Sequence, residues 1–363
     1  MVIFRRSLVL SILLTFLILN SLSASEITNG YVRLILHERT GRFSLYYLSE
    51  PDAMRYEPLF NGREPAASYL SVSVNGNIYR LGDSKNFQTR LERQNGNPAF
   101  VFESSFLTVS EVFSPVRTAN SHFANGVMIT VTIQNTADRP ASVGLRILID
   151  TELGEGRGRI PFLTNSQIIT NEMLIEGTSG ELFWVSRGQR TALMGSIVNP
   201  VDFNSRVPDF VHIANWKRLN DVSWRLRYSE GRSFNSLPYS IRDSAVCYYY
   251  EPAALENDEI FTFSIVLTTE DMEWYNSIVP PQVVVEPTAV ESPATERGAP
   301  TIDITAIEQE AIANAAENNE DAGTLTLVKL QEILDQFISG EIELNEHDLL
   351  EIEGSINRLR NRN

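Results

Sequence analysis

The chain is poor in cysteine: its 363 residues contain one, Cys247. A single thiol excludes an internal disulfide and any zinc or iron–sulfur site built on cysteines. It also excludes a lipid-anchored export signal, which needs a cysteine at the cleavage point. Cys247 falls in the apolar stretch DSAVCYYYEP, where we expect a buried small hydrophobe.

Positive charge is also scarce, with 30 Lys and Arg against 46 Asp and Glu and a net charge of −16. This balance excludes a nucleic-acid binder, which needs a basic surface to neutralise phosphates. Residues 282–363 hold 17 acidic and 5 basic residues, so this tail carries −12 and the rest of the chain only −4. The acidity therefore belongs mainly to the C-terminal part.

Catalytic motifs are missing as well. The stretch GEGRGR at 154–159 lacks the glycine–lysine–serine ending of a phosphate loop, and no serine-hydrolase elbow occurs. A glycoside hydrolase needs two carboxylates that face each other across a cleft. Acidic residues are numerous here, but no sequence pattern identifies such a pair. We therefore predict no catalytic residue, no metal site and no cofactor, and favour a protein that is not an enzyme.

The N-terminus reads MVIFRRSLVLSILLTFLILNSLSASE. Arg5 and Arg6 precede an apolar run at 8–19, and small residues follow it, which is the pattern of a secretory signal peptide. We predict a signal peptide at 1–25, with an uncleaved membrane anchor as the alternative. Export without disulfides is typical of a bacterial periplasm.

Alternating apolar residues dominate from residue 26 to residue 269. Asn75 and Gly76 separate two short strands, which is a strong hairpin signal. The stretches GVMITVTIQN and ASVGLRILID each place four aliphatic residues on one face, and the polar link NTADRP predicts a hairpin between them. Many short strands without a long amphipathic helix predict a mostly β protein, a large antiparallel β-sandwich at 26–275.

The composition changes after this region. Five prolines mixed with Glu, Thr and Ala at 276–302 predict a semi-rigid linker. Residues 303–363 then show helical spacing, which predicts an acidic helical hairpin with two apolar stripes. These stripes either pack within the chain or bind another envelope protein, and the predicted partner-binding residues are Leu327, Leu330, Leu334, Phe337, Leu349, Ile352, Ile356 and Leu359.

Four segments together resemble a known fold family: residues 28–46, 69–87, 127–162 and 243–269. One strand ends in Asp150 and Thr151 before a glycine-rich loop, and the last strands begin with an Asp-Ser-Ala triplet at 243–245. This order resembles the β-supersandwich of galactose-mutarotase-like and glycoside-hydrolase-accessory domains. The resemblance spans about 240 residues and implies a fold more than an activity.

Mutarotases of that family use a histidine acid and a glutamate base. His122 and His212 are the two histidines placed where such an acid could lie, but neither stands in the mutarotase histidine motif. The resemblance therefore implies no catalytic residue here, and we expect both histidines to be structural.

The loop at 150–162 is the first candidate ligand site. Asp150, Glu152 and Glu155 offer oxygen ligands that calcium accepts, although the alternating acidic spacing of a dedicated calcium loop is missing. Arg157 and Arg159 could instead bind a carboxylate or phosphate. The alternative is a tight turn whose glycines supply positive φ angles.

The second candidate is the stretch at 212–240, which is rich in Arg, Trp and Tyr. Such a composition is typical of binding surfaces, and equally of a long connection whose aromatic residues anchor it to the core. The candidate ligand-binding residues here are Trp216, Trp224, Arg225, Arg227 and Tyr228.

The sequence therefore predicts an exported, periplasmic protein without enzymatic activity. Its β-sandwich would be a platform, and its tail would dock a protein partner in a cell-envelope or motility-apparatus assembly. The alternative is a carbohydrate-binding protein, or less favourably a sugar epimerase or glycoside hydrolase. We expect no nucleic-acid partner, and membrane contact only through an uncleaved signal segment.

Overall fold

The computed structural model describes residues 24–60, 65–118, 121, 123–151, 162–188, 191–202, 204–235, 243–269 and 278–279, together with Lys329, Leu330, Ile333, Ile352 and Ser355. The predicted signal segment before residue 24 and most of the predicted tail lie outside these residues. Among the described residues, no helix is long and apolar enough to cross a membrane.

The described chain is mostly β, as predicted. Its strands in the first half are β1 (Ala24–Asn29), β2 (Val32–His37), β3 (Arg42–Glu50), β4 (Arg55–Pro58), β5 (Tyr69–Val74), β6 (Asn77–Arg80), β7 (Gln88–Gln94), β8 (Asn97–Glu103), β9 (Leu107–Thr118) and β10 (Gly126–Asn135). Those in the second half are β11 (Ala141–Asp150), β12 (Phe162–Thr164), β13 (Ile168–Ile169), β14 (Met173–Glu176), β15 (Phe183–Arg187), β16 (Ala192–Ser196), β17 (Phe210–Asn215), β18 (Ser244–Leu255), β19 (Ile260–Thr268) and β20 (Ile278–Val279).

Helical structure in the described sandwich is short. The helix α1 spans Trp216–Asp221, and two 3₁₀ turns lie at Pro51–Ala53 and Pro65–Ala67. The isolated described residues 329, 330, 333, 352 and 355 are helical, within the segments where the sequence predicts two helices.

The strands form three antiparallel sheets. A four-stranded sheet has the order β1-β2-β3-β4, and a six-stranded sheet has the order β14-β17-β18-β11-β5-β6. The large sheet has the order β13-β12-β15-β16-β19-β10-β9-β8-β7, with β20 paired to β9. The first residues of the predicted linker therefore contribute β20, which pairs with Arg117 and Thr118.

The apolar faces of the sheets meet in one core. The aliphatic residues that the sequence places on one face of β10 and β11 all belong to it: Val127, Ile129, Val131, Ile133, Val143, Leu145, Ile147 and Ile149. Because side chains alternate along a strand, the intervening residues face the outer surfaces. Cys247 is fully buried, as expected of a small hydrophobe.

The predicted hairpin between β10 and β11 is wrong. β10 pairs with β9 and β19, whereas β11 pairs with β5 and β18, so the link at 136–140 crosses from one sheet to the other. Both strands bury one apolar face in the same core, and two strands facing each other across a sandwich give the same alternation as two neighbours in one sheet.

Candidate functional site

The candidate site lies on the outer face of the six-stranded sheet. Val211 and Ile213 of β17 belong to the core between the sheets, whereas Ala214 belongs to a second apolar cluster on the opposite face. Tyr249 and Cys247 of β18 join this second cluster. The outer face is therefore apolar enough to need a cover.

Residues 216–235, which we name the covering segment, provide that cover. Its buried Leu219 and Leu226 pack into the outer cluster. Asn215 fixes both ends: its side chain accepts a hydrogen bond from the Arg218 amide at 3.2 Å and donates to the carbonyl oxygens of Phe234 and Asp243 at 2.8 Å. The segment is thus a tethered layer of the fold.

Beneath the covering segment, Tyr69 is surrounded by arginines. The guanidinium of Arg80 lies 3.8 Å from the centre of the Tyr69 ring, and those of Arg42 and Arg146 lie 5.5 and 5.8 Å from it. The Tyr69 hydroxyl accepts a hydrogen bond from Arg80 at 2.8 Å and donates to Asn220 at 3.0 Å. Arg146 donates to the carbonyl oxygen of Leu219 at 2.6 Å, which joins the sheet to α1.

This arginine–tyrosine cluster holds more positive than negative charge. Asp83 lies 3.1 Å from Arg42 and 3.7 Å from Arg80, and among the described residues no other carboxylate pairs with these three arginines. Burial lowers the pKa of Arg42, and the carboxylate of Asp83 opposes that shift. The π face of Tyr69 stabilises the remaining charge through cation–π contacts.

A second buried cluster is built on Glu172. One carboxylate oxygen accepts hydrogen bonds from His212 Nε2 at 3.0 Å and from the Ser229 amide at 2.9 Å. The other oxygen accepts a hydrogen bond from Arg218. Glu172 therefore binds two points of the covering segment to the sheet.

His212 is fully buried within this cluster. Burial lowers its pKa, and the nearby Glu172 carboxylate only partly opposes that effect. The imidazole thus contacts a carboxylate that is already bonded to Arg218, and the structural role expected from the sequence stays a prediction. His122 lies outside the described residues.

The two predicted tryptophans of the covering segment are turned inward. Trp216 donates to the carbonyl oxygen of Ala67 at 2.9 Å and packs against the outer apolar cluster. Trp224 is partly buried, with its ring 6.4 Å from that of Tyr249. Both indoles anchor the segment to the sheet. Of the two interpretations of this stretch, a binding surface or an anchored connection, the second therefore describes the two tryptophans.

Arg225, Arg227 and Tyr228 are exposed. Arg225 lies 4.1 Å above the ring of Phe210 and 3.6 Å from Glu251, and the ring of Tyr228 packs edge-on against His212 at 6.1 Å. Arg225 and Tyr228 therefore pack on Phe210 and His212, two residues of β17, and Arg227 lies between them in the chain.

The loop candidate is largely outside the described residues, which exclude Glu152, Arg157 and Arg159. Asp150 is buried at the end of β11, where its amide donates to Ser68 at 3.0 Å. Within the described ranges, no group of three or more His, Cys, Asp or Glu side chains is arranged to hold a metal ion.

Two of the predicted partner-binding residues are described. Leu330 and Ile352 are helical and fully buried, so neither side chain is open to an outside partner in this state. The other six, Leu327, Leu334, Phe337, Leu349, Ile356 and Leu359, lie outside the described residues.

The two buried clusters were not among the predicted sites. Arg146 carried a signal, because it is a cation within the apolar stretch of β11 and lies on the face opposite to Leu145 and Ile147. Glu172 carried none, since it lies in a connection and meets Arg218 and His212 only through folding.

Comparison with known proteins gives a likeness to solved structures only. No family model matches the chain. No curated protein matches it either. A galactose mutarotase related enzyme from Lactobacillus acidophilus is 10% identical with a TM-score of 0.38, covering 68% of this chain and 97% of that one. A GalM/aldose epimerase homologue from C. elegans is 10% identical with a TM-score of 0.40, covering 68% and 98%.

A TPR-domain containing protein from Parabacteroides distasonis is 10% identical with a TM-score of 0.43, covering 93% of this chain and 64% of that one. Galactose-mutarotase-like proteins, which the sequence resembles, are thus among the solved structures to which this chain is similar. Identities near one tenth and TM-scores below 0.5 transfer no site, ligand or activity to this chain.

Proposed function

We propose that the chain is an exported, periplasmic protein that works by binding and not by catalysis. Its β-sandwich is a rigid platform, and its acidic helical tail docks another protein in a cell-envelope or motility-apparatus assembly. The signal pattern at the N-terminus supports export, and the charge of −12 on residues 282–363 supports a separate role for the tail.

The outer face of the six-stranded sheet supports a sandwich that works by binding and not by catalysis. The carboxylate of Glu172 is bonded to Arg218, His212 and the covering segment, so its lone pairs are engaged in structure. The exposed groups there include Arg225, Arg227 and Tyr228, and arginine and tyrosine are enriched in binding surfaces.

Carbohydrate binding is the second candidate, and the exposed ring of Tyr228, which follows the exposed Arg225 and Arg227 in the chain, favours it. An aromatic ring can stack on a sugar, and neighbouring guanidiniums bind acidic substituents. Trp216 and Trp224 do not contribute to this candidate, because their indoles anchor the covering segment.

A pull-down from envelope extract separates the two candidates. The baits are the full chain from Glu26, a chain ending at Pro281, and a full-length R225A/R227A/Y228A variant. The same three proteins are applied to a glycan array. We expect the full chain and the triple variant to capture a partner that the shortened chain does not capture.

Two outcomes would contradict the proposal. A partner retained by the shortened chain would move the docking surface from the tail to the sandwich. Glycan binding that disappears in the triple variant, together with no tail-dependent partner, would establish the carbohydrate-binding alternative instead.

A further inference from the structure

A pocket of about 170 Å³ lies between the β1–β2 hairpin and the large sheet. None of the residues that line it belongs to the covering segment or to the Glu172 cluster. Ile27 of β1 and Val32 and Leu34 of β2 form one wall, and Phe113 of β9 and Val127 of β10 form the other. Val32, Leu34, Phe113 and Val127 are each at most 5% exposed, so the interior of the pocket is apolar and belongs to the core of the sandwich.

The mouth of the pocket is polar and open to solvent. Asn29, Arg93 and Gly96 line it and are exposed, and Asn97 beside them is partly buried. An apolar interior with a few polar groups at its opening is the usual composition of a small-molecule site.

Arg93 brings an uncompensated charge to this mouth. One guanidinium nitrogen donates to the carbonyl oxygen of Gly96 at 2.9 Å, and Arg93 forms no ion pair with any described carboxylate. Arg90, on the same strand, shows the contrast, because it pairs with Glu92 and Glu103. The remaining donors of Arg93 are free to bind an anion.

We infer that this pocket binds a small amphipathic carboxylate, whose apolar body fills the interior and whose carboxylate pairs with Arg93. A cavity of about 150 Å³ accepts benzene. The pocket here therefore holds a phenyl ring or an aliphatic chain of about six carbons. This inference is independent of the proposed function, since it uses neither the tail nor the covering segment.

Three probes separate the contribution of the apolar body of the ligand from that of its carboxylate. 3-Phenylpropanoate has both, 3-phenylpropan-1-ol keeps the body without the charge, and acetate keeps the charge without the body. Each is titrated into the full chain by calorimetry. Methyl NMR resonances of Ile27, Val32, Leu34 and Val127 report whether the probe enters this pocket.

The test variant is Arg93→Ala, which changes an exposed side chain and leaves the core intact. Arg90→Ala is the matched control on the same strand, and Arg93→Lys keeps the charge. We expect saturable binding of 3-phenylpropanoate with shifts of the pocket methyls. Affinity should fall about tenfold in Arg93→Ala, the scale of one charge-assisted hydrogen bond. It should stay within twofold in Arg90→Ala.

The alcohol is expected to bind more weakly, with an affinity that Arg93→Ala does not change, and acetate is expected not to bind. Absence of saturable 3-phenylpropanoate binding to the folded chain would overturn the inference. So would binding that leaves the pocket methyls unshifted, or an equal loss of affinity in Arg93→Ala and Arg90→Ala.

Discussion

Glu111 lies on β9 between Val109 and Phe113, and both of these neighbours on its face belong to the apolar core between the sheets. Burial raises the pKa of Glu111 to about 8, against a usual value of 4.5, and the charge of Arg42 only partly opposes the shift. The folded chain therefore keeps a protonated carboxyl group in its core at neutral pH.

This carboxyl group should make stability depend on pH. Between pH 4.5 and 8 the folded chain retains a proton that the unfolded chain releases, so the free energy of unfolding falls as pH rises. The slope should reach about 1.4 kcal/mol per pH unit. Urea denaturation at several pH values should show this slope in the natural chain and its loss in Glu111→Gln. A variant of the exposed Glu103 (Glu103→Gln) should retain it, and an unchanged slope in Glu111→Gln would refute the assignment.

Glu172 should be important for stability, because its buried carboxylate is bonded to Arg218, His212 and the Ser229 amide. Replacing it with Gln leaves the Arg218 guanidinium without a charged partner, and we expect the free energy of unfolding to fall by about 3 kcal/mol. Asp221 pairs with Lys217 at the surface, so Asp221→Asn is the control and should cost less than about 1 kcal/mol. Similar losses in the two variants would contradict a structural role for Glu172.

At the scale of elements, the turns show which local features the sequence determines. Asn75 and Gly76 both have positive φ, 51° and 83°, as a two-residue hairpin of type I′ requires. The predicted hairpin between β5 and β6 is therefore confirmed. The link between β10 and β11 was predicted wrongly, because its polar residues fit a hairpin and a crossing between sheets equally well.

Two glycines with the same φ of 83° should differ in their tolerance of a side chain. A Cβ at Gly76 would meet no atom within 4 Å, whereas one at Gly82 would lie 1.9 Å from the carbonyl oxygen of Thr40. Gly76→Ala should cost about 1 kcal/mol from the left-handed backbone alone. Gly82→Ala should cost about 3 kcal/mol, because overpacking adds to that term. Chemical denaturation checks both, and equal costs would show that contact with Thr40 is irrelevant.

The candidate site illustrates the limit of reading a sequence alone. Composition located the covering segment, and its exposed residues Arg225, Arg227 and Tyr228 were among those predicted. The inward direction of Trp216 and Trp224 depends on partners far away in the chain, Ala67 and Tyr249, which no local pattern contains. Alternation predicts which face a strand buries, but the partners of a side chain follow from topology.

At the scale of the whole molecule, the start of β1 overlaps the predicted signal cleavage site. β1 begins at Ala24, so the predicted cleavage after Ser25 falls within it. Cleavage there removes the pairs of Ala24 and Ser25 but keeps four others, from Glu26 with Ile35 to Asn29 with Val32. It also keeps the 2.7 Å ion pair between Glu26 and Arg33.

We expect the protein isolated from the envelope to begin at Glu26. Signal cleavage needs small residues at the cut and two positions before it, which Ser25 and Ser23 supply. Intact-mass measurement of the isolated protein checks this, and Ser25→Phe should block processing. A natural chain that keeps its full 363-residue mass would establish the membrane-anchor alternative.

The order in which the strands are made has a consequence for the timing of folding. β18 and β19 occupy inner positions of two sheets, and they pair with β11 and β10, as Asp150 with Ala245 and Gly126 with Thr268. The six-stranded sheet cannot be completed before the ribosome has synthesised β18, which ends at Leu255, and the large sheet cannot be completed before β19, which ends at Thr268. Pairing over such distances in the chain also slows folding. Each sheet therefore stays incomplete for most of the synthesis of the chain, and a chain whose sheets are incomplete lacks the closed sandwich that would block its passage through a secretion channel.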